Sequence, residues 1–178
     1  TRTGLKVRYR NPHEVGADRI ANAIAATHRH PGRNILIVDC GTATTFDVIT
    51  ATGEYLGGAI LPGVGVSLDT LASHTAKLPR VEAARPASAL GRSTLESIQS
   101  GVYHGQVGAI RQLLTLLARE AFAGESAMVI GTGGHAWLFE AEGLFDEIAP
   151  ELVLEGLRHA EKLNRDTEGR TAGQSNAS

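Results

Sequence analysis

At 178 residues the chain is the length of one ordinary globular domain, able to bury roughly 70% of the surface its unfolded form exposes, so no second core is required. A composition of 42% hydrophobic and 20% charged residues with a net charge of -2 is that of a folded soluble protein rather than a disordered or fibrous one. Basic residues are scattered and aromatics make up only 4%, which argues against a nucleic-acid partner, and no apolar run approaches the ~20 residues that cross a bilayer.

The opening segment, residues 1–13 (TRTGLKVRYRNPH), reads as the end of a preceding lobe or a linker, and as the middle of a longer chain rather than a start. Residues 14–164 read as one folded lobe. From Glu14 to His30, Ile20 and Ile24 stand four apart among alanines, which predicts a slim helix closed by Pro31 and Gly32. Asn34 to Asp39 (NILIVD) is a continuous apolar run of strand length, and Thr45 to Thr50 alternates Phe46 and Val48 with polar residues. A turn at Thr52-Gly53-Glu54 leads to a third strand, Tyr55 to Leu61, whose Gly57 and Gly58 mark a close approach to the backbone. Three strands with tight connections predict an antiparallel meander. The lone Cys40 can form no internal disulfide, and no segment has the order of a signal peptide, so a reducing cytoplasm is the expected compartment.

Beyond Pro62-Gly63 a short helix is expected from Val66 to Leu71, then a long connection from His74 to Arg92. Ser93 and Glu96 have capping-box spacing, and Leu95, Ile98, Val102, Ile110, Leu113 and Leu117 place a long helix through Phe122. Ala127 to Ile130 reads as a strand, His135 to Glu140 as a short helix and Ala149 to Asn164 as a last one, followed by a disordered tail over residues 165–178. This order fits an α/β half-domain of the actin-like ATPase class (ribonuclease H-like, as in sugar kinases, Hsp70 and actin): a mixed sheet flanked by helices.

Four constellations bear on chemistry. DCGTATTFD, positions 39 to 47, puts a carboxylate, free backbone N–H groups and hydroxyls into one tight turn, the donor set that phosphates and hard cations use. In GADR, Gly16 to Arg19, Asp18 can accept a hydroxyl proton while Arg19 holds a carboxylate, and an aspartate there equally caps a helix. GTGG at 131 to 134 is a glycine turn against which a nucleotide can lie, and Thr94 of GRST is either a ligand hydroxyl or part of the cap. Seven histidines without ligand spacing and a single cysteine exclude a structural zinc site, and no Walker A sequence or hydrolase elbow is present.

Together RYRNPHEVGADRIANA, ILIVDCGTATTFDVI, GEYLGGAILPGVGVS, G-x-x-T at 91 to 94, IQSG at 98 to 101 and VIGTGG, in order from Gly4 to Asn164, resemble the type III pantothenate kinases. That resemblance implies ATP-dependent phosphorylation of pantothenate to 4'-phosphopantothenate, the first step of coenzyme A biosynthesis. It makes Asp18 the proton acceptor and places Tyr9, Gly16, Ala17, Arg19 and Thr94 at pantothenate. Asp39 becomes the ligand of a monovalent cation, potassium or ammonium, while Gly41, Thr42, Gly131 and Gly133 belong to the ATP site and magnesium accompanies the nucleotide. It further implies a homodimer whose second subunit completes the substrate site. The family's opening D-x-G-N-T motif has no match here, so this chain alone is expected to be inactive; a non-catalytic regulatory or transcriptional accessory protein of the same fold is the alternative.

Overall fold

The computed structural model describes residues 3–75 and 77–174. Its centre is a six-stranded mixed sheet in the order β1-β4-β3-β2-β5-β6. Strands β2 (Asn34–Cys40), β3 (Ala43–Ile49) and β4 (Glu54–Pro62) form the expected antiparallel meander, β5 (Ala127–Thr132) runs parallel to β2, and β1 (Lys6–Val7) and β6 (Glu147–Ile148) are parallel edge pieces.

β2 is apolar along its length because both of its faces are covered. On one face Ile35 and Ile37, with Ile49, Tyr55 and Ile130 from neighbouring strands, pack under α1 (Ala17–Arg29) and the start of α4 (Leu152–Gln174). On the other, Val38, Cys40 and Phe46 meet α2 (Val64–Ser73) and α3 (Thr94–Phe122). Each fully buried Ile or Phe contributes about 2 kcal/mol of transfer free energy, and Ile35, Ile37, Ile49 and Phe46 are all at most 1% exposed.

The alanines of α1 let α4 come within backbone contact: a side chain at Gly156 would overlap the main chain of Ala21. Arg29 at the end of α1 then bonds both Glu147 of β6 and Glu155 of α4, joining three elements.

α3 begins at the Ser93 cap that the sequence predicts, with Glu96 reaching one residue further back than in a capping box. Ser93 Oγ accepts from Glu96 N at 3.2 Å and the Glu96 carboxylate reaches back to Arg92 N at 2.7 Å. The helix ends where Ala123 and Gly124 turn left-handed. The connection leading to it is anchored by Val81, which is buried among the α2 and α3 side chains, and by Ser100 Oγ donating to Ala89 O at 2.6 Å.

Three expectations are corrected. The helix expected from Glu14 starts only at Ala17, because Pro12–Glu14 form a separate 3-10 turn and Gly16 is extended. The last helix starts at Leu152 rather than Ala149, whose carbonyl is instead taken by Thr132 Oγ1. The tail expected to be disordered from Arg165 continues α4 to Gln174, helped by the Glu161–Arg165 pair one turn apart; residues 175–178 lie outside the described residues.

Candidate active site

The expected polar residues gather at one end of the sheet, where β2 ends, β3 begins and α1 starts. Gly41 and Thr42 make the β2–β3 turn, closed by Gly41 N donating to Ala43 O at 3.0 Å. The GTGG turn lies directly on it: His135 N donates to Cys40 O at 3.0 Å. Gly133, at φ +86°, leaves no room for a Cβ, which would overlap Asp39 Oδ1 and lie 2.7 Å from the Cys40 carbonyl carbon. The two glycine turns therefore enclose the Asp39 carboxylate between them.

Asp39 is half-buried, and its Oδ2 accepts from Asn22 Nδ2 at 3.0 Å. Burial pushes its carboxyl up from the usual range; the Asn22 bond opposes this and the nearby Asp18 charge adds to it. Asp18 stands exposed in the first turn of α1, with Oδ1 accepting its neighbour Arg19 N at 2.8 Å. A side chain at Gly16 would overlap that carboxylate, which accounts for the glycine of GADR. The positive end of the helix favours the negative charge.

Arg19 lies beside Asp18 with its guanidinium buried on internal partners, Nε 2.8 Å and Nη2 2.7 Å from Asp47 Oδ1 and Nη2 3.2 Å from Phe46 O. Burial works against its charge, but the Asp47 carboxylate together with Tyr55 and Tyr9 outweighs it and holds Arg19 above its ordinary range. Asp47 is fully buried and also accepts from Tyr55 Oη at 2.6 Å. Burial pushes its carboxyl up, opposed by Tyr55 and Arg19. The Tyr55 ring lies 5.9 Å from the Arg19 guanidinium and 6.5 Å from the half-buried Tyr9 ring, so Tyr9 joins this group.

Ala17 and Thr42 are exposed at the rim, Ala17 as the first residue of α1 and Thr42 with its carbonyl accepting from Gly63 N at 3.0 Å. Gly131 does not reach the rim. It is buried, and the ring of Phe145 fills the space a side chain would need, so packing accounts for this glycine. Thr94 stands apart at the start of α3, on the far face of the sheet, lining an open 660 Å³ cleft with Ser67, Leu71, Ile98 and Gly101. Cys40 is buried with its thiol pushed up to about 12 by burial, which leaves it inert.

Asn22 and Tyr55 were given no role in the motif reading, and Asp47, the last residue of DCGTATTFD, was given none of its own. Their signal was faint but present: Asn22 lies one turn after Asp18 on the same side of α1, and Asp47 shares the inward face of β3 with Ile49. Asn22 Oδ1, Thr45 Oγ1 and Asp47 Oδ2 are buried oxygens without a hydrogen-bond partner among the described residues, all near Asp39 on the α1 face. Among the described residues no three or more His, Cys, Asp or Glu side chains cluster as a metal site. A half-buried carboxylate in an oxygen-rich setting fits a weakly held hard monovalent cation.

A strand meander extended by a parallel strand, with helices on both faces and glycine turns enclosing an aspartate, defines a lobe of the actin-like ATPase fold. A solved structure from Campylobacter jejuni, described as a Baf family transcriptional activator, shares that fold with a TM-score of 0.63 at 22% identity, over 91% of this chain and 69% of its own. A family model for type III pantothenate kinase matches residues 1–116, and the chain belongs to that family. The type III pantothenate kinase of Legionella pneumophila (strain Corby) is 55% identical over 163 residues, covering 92% of this chain and 64% of the relative. That of Dehalococcoides mccartyi (strain CBDB1) is 46% identical over 165 residues, covering 92% and 62%. The chain thus spans just under two thirds of the length of these curated relatives. No helix among the described residues is long and apolar enough to cross a membrane.

Proposed function

We propose that this chain supplies the pantothenate site and the general base of an ATP-dependent pantothenate kinase, the step that opens coenzyme A biosynthesis in the cytoplasm. The observation that carries the reading is the convergence of Asp18, Asp39 and the two glycine turns at one end of the sheet. Asp18 accepts the proton of the substrate's primary hydroxyl as its oxygen attacks the γ-phosphorus of ATP. The bond from that phosphorus to the bridging oxygen breaks, releasing ADP. Arg19 N holds one carboxylate oxygen of Asp18 in place, leaving the other to take the proton.

Asp39 is the residue that would hold the potassium or ammonium ion, and magnesium would arrive with ATP; such cations offset the charge that builds on the phosphates. Backbone at Gly41, Thr42 and Gly133 borders the nucleotide, and Tyr9 walls the pantothenate side. Thr94 lies on the opposite face from Asp18, which favours a homodimer in which the α3 cleft of one copy meets the α1 end of another. Gly101, Gly105 and Gly108 of α3, with open space around each, leave that helix open to close approach.

Calorimetric titration with pantothenate tests this. Saturable binding that weakens about tenfold or more in Asp18→Asn is expected, the effect of losing a hydrogen bond to a charged group. No binding at concentrations where the chain is dimeric would sink the reading.

A further inference from the structure

We propose that Asp47 is a positioning residue for this site, a role resting on the assignment of Asp18 as the base. Asp47 is fully buried, yet its Oδ1 alone gathers Arg19 Nε at 2.8 Å, Arg19 Nη2 at 2.7 Å and Tyr55 Oη at 2.6 Å. These donors come from the first turn of α1 and from β4, so one oxygen of β3 ties the helix start to the strand beside it.

What it ties down is the catalytic turn. The residue whose side chain Asp47 holds is the residue whose backbone N–H holds Asp18 Oδ1. Fixing the Arg19 side chain fixes where that N–H points, and with it the carboxylate meant to meet the substrate hydroxyl. On the other side, the Tyr55 ring held by the same oxygen supports Tyr9, whose ring edge lies 3.1 Å from where a side chain on Gly57 would begin. Both walls of the proposed pantothenate site thus take their position from Asp47, which the substrate does not touch. A buried ion pair is weak as a source of net stability but strong as a fixed geometric reference, and productive geometry tolerates little displacement.

The test uses the whole chain with Asp47→Asn, which keeps the shape and removes the charge, and Tyr55→Phe, which removes one donor. The Arg19 backbone amide proton, seen by NMR, reports the bond to Asp18; pantothenate affinity is read by calorimetry well below each melting temperature. In Asp47→Asn the amide signal is expected to move upfield and affinity to fall about tenfold, the effect of losing a charge-assisted bond; in Tyr55→Phe, which leaves the Arg19–Asp47 pair intact, the fall is expected to be about threefold. An unmoved amide signal overturns the proposal, as does a moved signal with unchanged pantothenate affinity, since Asp47 would then serve folding only. If Asp47→Asn does not fold, Tyr55→Phe decides by the same two readings. If the unsubstituted chain binds no pantothenate, the substrate assignment fails, while a moved amide signal still upholds the link from Asp47 to Asp18.

Discussion

The two ends of the β2–β3 pair lie under the same helix and are built on opposite principles. At one end Ile35 faces Ile49 beneath Ala23 and Ala26, and the interface is apolar throughout. At the next inward pair Ile37 of β2 faces Asp47 of β3, and at the one after that Asp39 faces Thr45, beneath Arg19 and Asn22. The apolar end draws stability from transferring side chains out of water. The polar end gives that up and holds its charges by a few directed bonds, leaving three buried oxygens without partners among the described residues. One end holds the helix and the other aims it.

Breaking the polar end should show the larger effect. Arg19→Ala leaves Asp47 buried without its counter-charge, a defect expected to destabilise the chain by about 3–5 kcal/mol, read from urea unfolding at neutral pH. Replacing both partners, Arg19→Met with Asp47→Leu, should recover most of that loss while abolishing pantothenate binding, because an apolar pair of similar volume needs no compensation. If the double variant is no more stable than Arg19→Ala, the ion pair contributes stability of its own and the contrast between the two ends weakens. At the apolar end Ile49→Val removes one methylene from a fully buried site, expected to cost about 1 kcal/mol in the same unfolding measurement with pantothenate affinity unchanged.

The same contrast decides what could be read in advance. NILIVD announced a central strand because a strand covered on both faces has no reason to alternate, and Ser93 with Glu96 marked the start of α3 because capping is local chemistry. Asp18 and Asp39 stood out through motifs of a few consecutive residues. The partnership of Arg19 with Asp47 did not, since the two are 28 residues apart and meet only once α1 lies across β3. GADR suggested a ligand carboxylate for Arg19 and gave no sign of the internal one at Asp47. The edge strands β1 and β6, two residues each, carry no periodicity at all and exist only through backbone pairing with β4 and β5. Gly131 looked like part of a nucleotide turn, although the ring that requires it, Phe145, comes from a separate segment.

The smallest expected effect is also the most specific to the polar end. Burial raises the Asp39 carboxyl above its unfolded value, so the folded state favours the protonated form. The stability associated with this group is fully present below the unfolded pKa and is lost as pH rises through the folded one. Asp39→Asn mimics the protonated side chain at every pH and should therefore melt together with the unsubstituted chain at about pH 3. Above that the variant should become the more stable, by a few degrees at neutral pH, the difference opening as Asp39 ionises. Potassium should narrow the gap by stabilising the unsubstituted chain alone, because an ion that binds only the folded state shifts its melting point by mass action. Thermal melts across pH with potassium or with a bulky organic cation read all of this. A variant less stable than the original at neutral pH would mean that the Asn22 bond outweighs the cost of burying Asp39, and that the polar end draws net stability from its charges after all.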